Sequence, residues 1–156
     1  MIIDIDYLLS AGFDISEEIS ENKLNNAIRT AEWYIIKPRL GDKYIPILEN
    51  TDGDYDDVID GGIVTDEKGN SIFIAGLAQA EAHIAYAILL RENLTATSFG
   101  VHKKVDKEVS DLAPEDNIRR VAMMHNEIGL AYLKEVCEFM QIPVLFKAYN
   151  DYWMEY

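Results

Sequence analysis

Leu24, Ile28, Ala31 and Ile35 recur at three- and four-residue spacing, which lays one apolar stripe along a helix from about Glu21 to Ile36. Ser20 stands where its N-cap belongs. Pro38 disfavours helix at Lys37, Gly41 supports a stop, and a short helix from Lys43 to Glu49 follows. Farther on, "GIVTDEKGNSIFI" places apolar residues on either side of Glu67-Lys68-Gly69-Asn70, which is the turn chemistry of a β-hairpin. "AGLAQAEAHIAYAILLREN" is alanine-rich and almost apolar all round, so it predicts the most buried helix of the fold, with small residues for close helix approach and Asn93 at its end.

Pro114 sits at the first position of the next helix, with Glu115 and Asp116 complementing the dipole of its first turn. Ile118, Val121, His125, Ile128, Tyr132, Val136 and Met140 carry a stripe along it until Pro143. Between the two long helices, "LTATSFGVHKKVDKEVSDLAPEDN" has no helical stripe. Connections of that length inside a compact domain are usually functional, so this stretch is the candidate interaction arm. The final "VLFKAYNDYWMEY" holds five aromatics in thirteen residues and must pack on its own domain or on a neighbour.

The pattern therefore predicts a mainly α protein: a small bundle of about four helices with one inserted β-hairpin, an extended loop arm and a C-terminal tail. Residues 1–142 would form the helical domain, with the hairpin insertion at about 51–75 and the interaction loop at about 94–113, and residues 143–156 the tail. A chain of 156 residues, 49% of them hydrophobic, has enough apolar surface for one sizeable core. Cys137 is the only cysteine, which excludes an internal disulfide framework and a thiolate zinc site and fits a reducing compartment. No signal-like N-terminus and no long apolar run is present, so neither a secreted precursor nor a membrane-spanning chain is expected.

The net charge of −14 argues against wrapping phosphate backbones, because such affinity comes mainly from lysine and arginine displacing counterions. It is compatible with passing DNA through a lumen whose acidic wall repels the duplex. From Glu49 to Asn70 eight acids stand against Lys68 alone, and "TDGDYDDVIDGG" concentrates Asp52, Asp54, Asp56, Asp57 and Asp60 among three glycines. A calcium loop of the EF-hand type needs ligands at its first, third and fifth positions, glycine at the sixth and glutamate at the twelfth. Counted from Asp52, the sixth is Asp57 and the twelfth Ile63; counted from Asp54, the fifth is already Val58. A solvated acidic turn is the better reading, and no metal is expected.

His83 and His125 each lack the glutamate three residues before them that a di-iron bundle needs, since those positions hold Ala80 and Ala122. No His-x-x-x-His pair exists, and the histidines read as hydrogen-bonded helix residues plus His102 in the loop. Cys137 lies on an apolar helical face and reads as a small core residue. With no nucleophile elbow and no phosphate loop, neither catalysis nor a cofactor is expected. Lys103, Lys104 and Lys107 are diluted by Asp106, Glu108 and Asp111, which favours a protein contact over a nucleic-acid contact.

The segments "AEWYIIKPRLGDKYIPIL", "GLAQAEAHIAYAILLRENLTATSFGV" and "NIRRVAMMHNEIGLAYLKEVCEFM", in that order from about Leu24 to Met140, resemble the head-tail connector (adaptor) proteins of tailed bacteriophages. They are most similar to those of phages and prophages of Bacteroidetes hosts, including crAss-like phages. The resemblance implies a structural virion protein, made in the host cytoplasm and placed at the head-tail connector. Copies would form a ring, twelve-fold in that family, which joins the portal and capsid to the tail proteins and continues the DNA channel. It further implies a partner-contacting loop that includes Ser98, Phe99, Val101, Lys103 and Lys104, docking anchors at Phe146, Tyr149, Tyr152 and Trp153, and an acidic surface at Asp52, Asp54, Asp56, Asp57 and Asp60 that repels DNA. The rival reading is a small intracellular helical adaptor that binds one protein partner through the same loop and tail.

Overall fold

The computed structural model describes residues 1–96 and 115–143. The protein is mainly helical, with one small antiparallel hairpin inserted between its shorter and longer helices. Helix α1 (Ile5–Ser10) is capped by Asp4, whose Oδ1 accepts from the Tyr7 amide at 2.8 Å. Helix α2 (Glu21–Thr30) buries Leu24, Ala27 and Ile28, as the stripe requires. Ser20 holds the N-cap position, but its hydroxyl makes no cap bond; its carbonyl accepts from Lys23 and Leu24.

Pro38 does not stop the helical path. A π-helical turn, Ala31–Ile36, follows α2, and helix α3 (Lys37–Leu40) continues through the proline. The Lys37 amide bonds the Glu32 carbonyl five residues back, one further than in an α-helix. This wider turn lies where the proline ring would otherwise press on the carbonyl four residues before it. The change of direction comes at Gly41, whose φ of 53° suits glycine, and a 3₁₀ turn (Gly41–Lys43) leads into helix α4 (Tyr44–Glu49).

After helix α5 (Asp56–Asp60), strands β1 (Gly62–Thr65) and β2 (Ser71–Ile74) pair with Ile63 opposite Phe73 and Val64 opposite Ile72. Asp66 organises the turn by accepting from the amides of Lys68 and Asn70 at 2.9 and 2.8 Å. The base of the hairpin is closed by two glycines. A Cβ on Gly61 would stand 2.4 Å from the Ala75 carbonyl oxygen, and one on Gly76 would stand 2.5 Å from the Gly61 nitrogen.

Helix α6 (Leu77–Ala96) is the axis of the molecule, packing against α1, α2, α5 and α7 (Glu115–Phe139). From Leu77 to Leu90 only Gln79 and His83 are not fully buried, in accord with its all-round apolar sequence. Asn93 does not end it; the helix runs on to Ala96, so the first residues assigned to the loop arm are helical. Close approach of α7 depends on Gly129, where a Cβ would lie 2.6 Å from Ile84 Cγ1 and 2.8 Å from the Ala80 carbonyl oxygen.

The buried line on α7 differs from the predicted stripe. It runs through Ile118, Ala122, Asn126, Gly129, Leu133, Val136 and Cys137, while Val121 is exposed and Ile128 and Tyr132 are half-buried. At Gly129 α6 lies too close for a larger side chain, while Ala122 and Asn126 share the inward face with Ile118, Leu133 and Val136. The helix also stops before Pro143. Gln141 adopts a left-handed φ of 56°, and the amides of Gln141 and Ile142 bond back to the carbonyls of Glu138 and Cys137. That is a Schellman-type end, with the proline just beyond it.

Candidate interaction surface

The aspartate-rich segment is partly loop and partly helix. Asn50 ends α4 in the left-handed conformation, and its side chain ties down residues 55 and 56 beyond it. Its Oδ1 accepts from the Tyr55 amide at 2.9 Å and its Nδ2 donates to Asp56 Oδ1 at 2.7 Å. Val58 is buried and Tyr55 half-buried, so these two anchor the segment to the core. Asp52, Asp54, Asp56, Asp57 and Asp60 all remain exposed, and Asp56 and Asp57 lie in the first turn of α5, where negative charge is favoured. The predicted solvated turn is thus corrected to a loop and a short helix with solvated carboxylates. Among the described residues no three His, Cys, Asp or Glu side chains gather as a metal site would require.

The hairpin presents a second surface. Val64 and Ile74 point to the core, whereas Ile63 is 77% and Phe73 71% exposed although both are large and apolar. They stand directly opposite one another, so the outer face of a two-stranded sheet carries an uncovered cross-strand apolar pair. Beside it lies an open groove of about 620 Å³ between the hairpin and the end of α7, lined by residues that include Asp66, Lys68, Phe73, Glu135, Phe139 and Gln141.

A third surface follows from the π-helical turn. Trp33 and Tyr34 are exposed and border a hollow with Arg29 and Glu92. The Lys37 Nζ lies 3.8 Å from the centroid of the Trp33 ring, a cation–π contact that holds the indole on the surface. On α7, Val121, Met123 and Met124 are exposed as well. Scattered single apolar residues are usual on a surface, but here they fall in adjacent pairs, Trp33 with Tyr34, Ile63 with Phe73 and Met123 with Met124.

Two polar clusters, one half-buried and one fully buried, leave little signature in the local sequence pattern. His83 and His125 come from different helices, yet their Nδ1 atoms lie 3.0 Å apart within a box formed by Phe13, Tyr86 and Tyr132. One ring donates and the other accepts, which requires that the accepting imidazole be neutral. Burial, then the neighbouring His125, pushes the His83 pKa down to about 4, and burial lowers that of His125. Each histidine is hydrogen-bonded, as expected, but to the other; only packing of α6 on α7 could reveal that.

The second cluster joins Glu32 and Glu81, both fully buried. Tyr44 donates to Glu32 Oε1 at 2.9 Å, the Met1 ammonium stands 3.4 Å from the same oxygen, and the Ile3 amide donates to Glu81 Oε2 at 3.2 Å. Glu81 Oε1 has no hydrogen-bond partner among the described residues. Burial and then the Glu32 charge push the Glu81 carboxyl well above its usual range. One hint of it does stand in the sequence, since Glu81 is the one charged residue between Leu77 and Leu90. Cys137 is buried and burial pushes its thiol up to about 11, so it stays protonated near neutrality, in keeping with a core residue.

The loop residues Ser98, Phe99, Val101, Lys103 and Lys104 and the tail residues Phe146, Tyr149, Tyr152 and Trp153 lie outside the described residues, as does His102. No described helix is long and apolar enough to cross a membrane.

Comparison of the chain with curated proteins and with solved structures gives no match. A family model does match, over residues 36–151, which takes in the hairpin, both long helices and most of the aromatic tail while leaving out α1 and α2. That span is about three quarters of the chain, and the protein therefore belongs to DUF6712, a family of unknown function.

Proposed function

We propose that this protein is a structural component of a tailed-phage virion, forming a ring that joins the portal and capsid to the tail and continues the DNA channel. The observation that carries the reading is the distribution of exposed apolar groups. Trp33 and Tyr34, Ile63 and Phe73, and Met123 and Met124 lie on three different elements. A closed ring is built from heterologous contacts, in which each protomer offers one patch to the copy on one side and a different patch to the other, besides the contacts it makes above and below. A helical body with several separate sticky surfaces meets that demand; a binder of one partner needs only one. The likeness of the long helical segments to head-tail connectors supports the same reading.

The chain's own chemistry in this role is passive. The five exposed aspartates face the channel and repel the DNA backbone, so that the duplex passes without adhering. The half-buried His83–His125 pair and the buried Glu32 and Glu81 carboxyls belong to the packing of the domain and contribute no reaction step.

Native mass spectrometry and negative-stain electron microscopy test the proposal, on the chain alone and after mixing with the portal protein of the phage that encodes it. A cyclic oligomer seated coaxially on the portal is the expected result. A stable one-to-one complex with a host protein, with neither portal binding nor a ring under any condition, overturns it in favour of the small-adaptor reading.

A further inference from the structure

We infer that the outer face of the β1–β2 hairpin, with the groove beside it, is the docking site for the C-terminal tail of a second copy of this chain. The inference rests on the ring reading and names one contact within it. Both strands, "GIVT" and "SIFI", carry apolar residues on both faces, a pattern typical of strands covered on both sides. Val64 and Ile74 use one side for the core, while Ile63 and Phe73 leave the other uncovered. An apolar cross-strand pair on the solvent side of a short hairpin suits an apolar segment, and the groove that borders Phe73 adds Phe139 beside the carboxylates of Asp66, Glu67, Glu135 and Glu138.

The chain contains one such segment. Val144 to Tyr156 includes nine apolar residues among thirteen, five of them aromatic. The family match extends through Asp151, so Phe146 and Tyr149 fall in the same shared unit as the hairpin, whereas α1 and α2 do not.

The ring reading favours a neighbour's hairpin over the chain's own. Pro143 favours an extended path at Ile142, where the chain leaves the end of α7. Thirteen extended residues can span roughly 45 Å, about three times the radius of gyration expected for a domain of this length, so the tail reaches an adjacent copy with length to spare. The contact is heterologous, tail to face, which is the kind that propagates around a ring.

The test places a photo-crosslinker on the face, Phe73→p-benzoylphenylalanine, in the full-length chain, with equal amounts of ¹⁴N- and ¹⁵N-labelled copies mixed before irradiation at ring-forming concentration, with portal present if assembly requires it. Mixed-isotope cross-links between position 73 and peptides from residues 144–156 are expected. The double variant Ile63→Glu/Phe73→Glu, whose sites are exposed and whose melting temperature should match that of the parent, is expected to weaken assembly at least about tenfold. Same-isotope links only, or links from position 73 to a different segment or to the portal, overturn the inference. Rings that persist undiminished in the double variant also overturn it while leaving the ring reading intact. Absence of any ring or portal complex in the parent removes both together.

Discussion

Glu81 couples pH to the stability of this fold. Its carboxyl is raised above the ordinary value of 4.5 in the folded chain, so folding takes up a proton. Its stability contribution is greatest at and below pH 4.5 and is lost as pH rises from there through the folded value, at up to about 1.4 kcal/mol per pH unit. Glu81→Gln keeps an acceptor for the Ile3 amide and removes this slope. Thermal melts should show the variant gaining on the parent between pH 5 and pH 8; equal melting-temperature differences at both would show that the proton is not taken up. The histidine pair acts in the opposite sense. Both folded values are lowered, so stability is fully present above about pH 6.5 and is lost as pH falls toward 4. Neither effect is legible from residue type alone, because both come from desolvation by residues distant in sequence.

At the scale of elements, the α6–α7 contact is set by the smallest side chains. Gly129→Ala would bring a Cβ within 2.6 Å of Ile84 Cγ1 and 2.8 Å of a backbone oxygen that cannot swing away. Overpacking of that kind costs about 1–3 kcal/mol, far more than alanine's better helix propensity returns. Urea denaturation should show this loss with little change in slope, whereas a more stable variant would show that the helices separate easily. The helices α2, α4, α6 and α7 and the hairpin were all legible as local pattern, since periodicity and turn residues act within a dozen positions. The inward face of α7 was not: Val121 and Ile128 outrank Ala122 and Gly129 in hydrophobicity, yet the latter two face inward, and α6 approaches Gly129 too closely for a side chain there. Pro38 misled for a related reason, because the π-helical turn before it changed which carbonyl its ring would meet.

For the whole molecule, the charge distribution carries the prediction that bears on function. Replacing Asp52, Asp54, Asp56, Asp57 and Asp60 by asparagine changes the net charge from −14 to −9 (−14 + 5) at exposed positions, and retains the Asp56 acceptor for Asn50. The variant should fold normally and retain duplex DNA measurably better than the parent in low-salt gel-shift assays; identical retention would remove the aspartates from any role in keeping DNA moving. By itself the sequence determined the helical class, the position of the hairpin, the acidic insertion and the failure of that insertion to match a calcium loop. Each follows from residues close along the chain, where spacing fixes geometry. Only the tertiary structure decided which side chains meet across elements. It paired His83 with His125 and Glu32 with Glu81, gave the inward face of α7 to its small residues, and left Ile63 and Phe73 uncovered. Such outcomes depend on the register and distance between packed elements, which no local periodicity encodes.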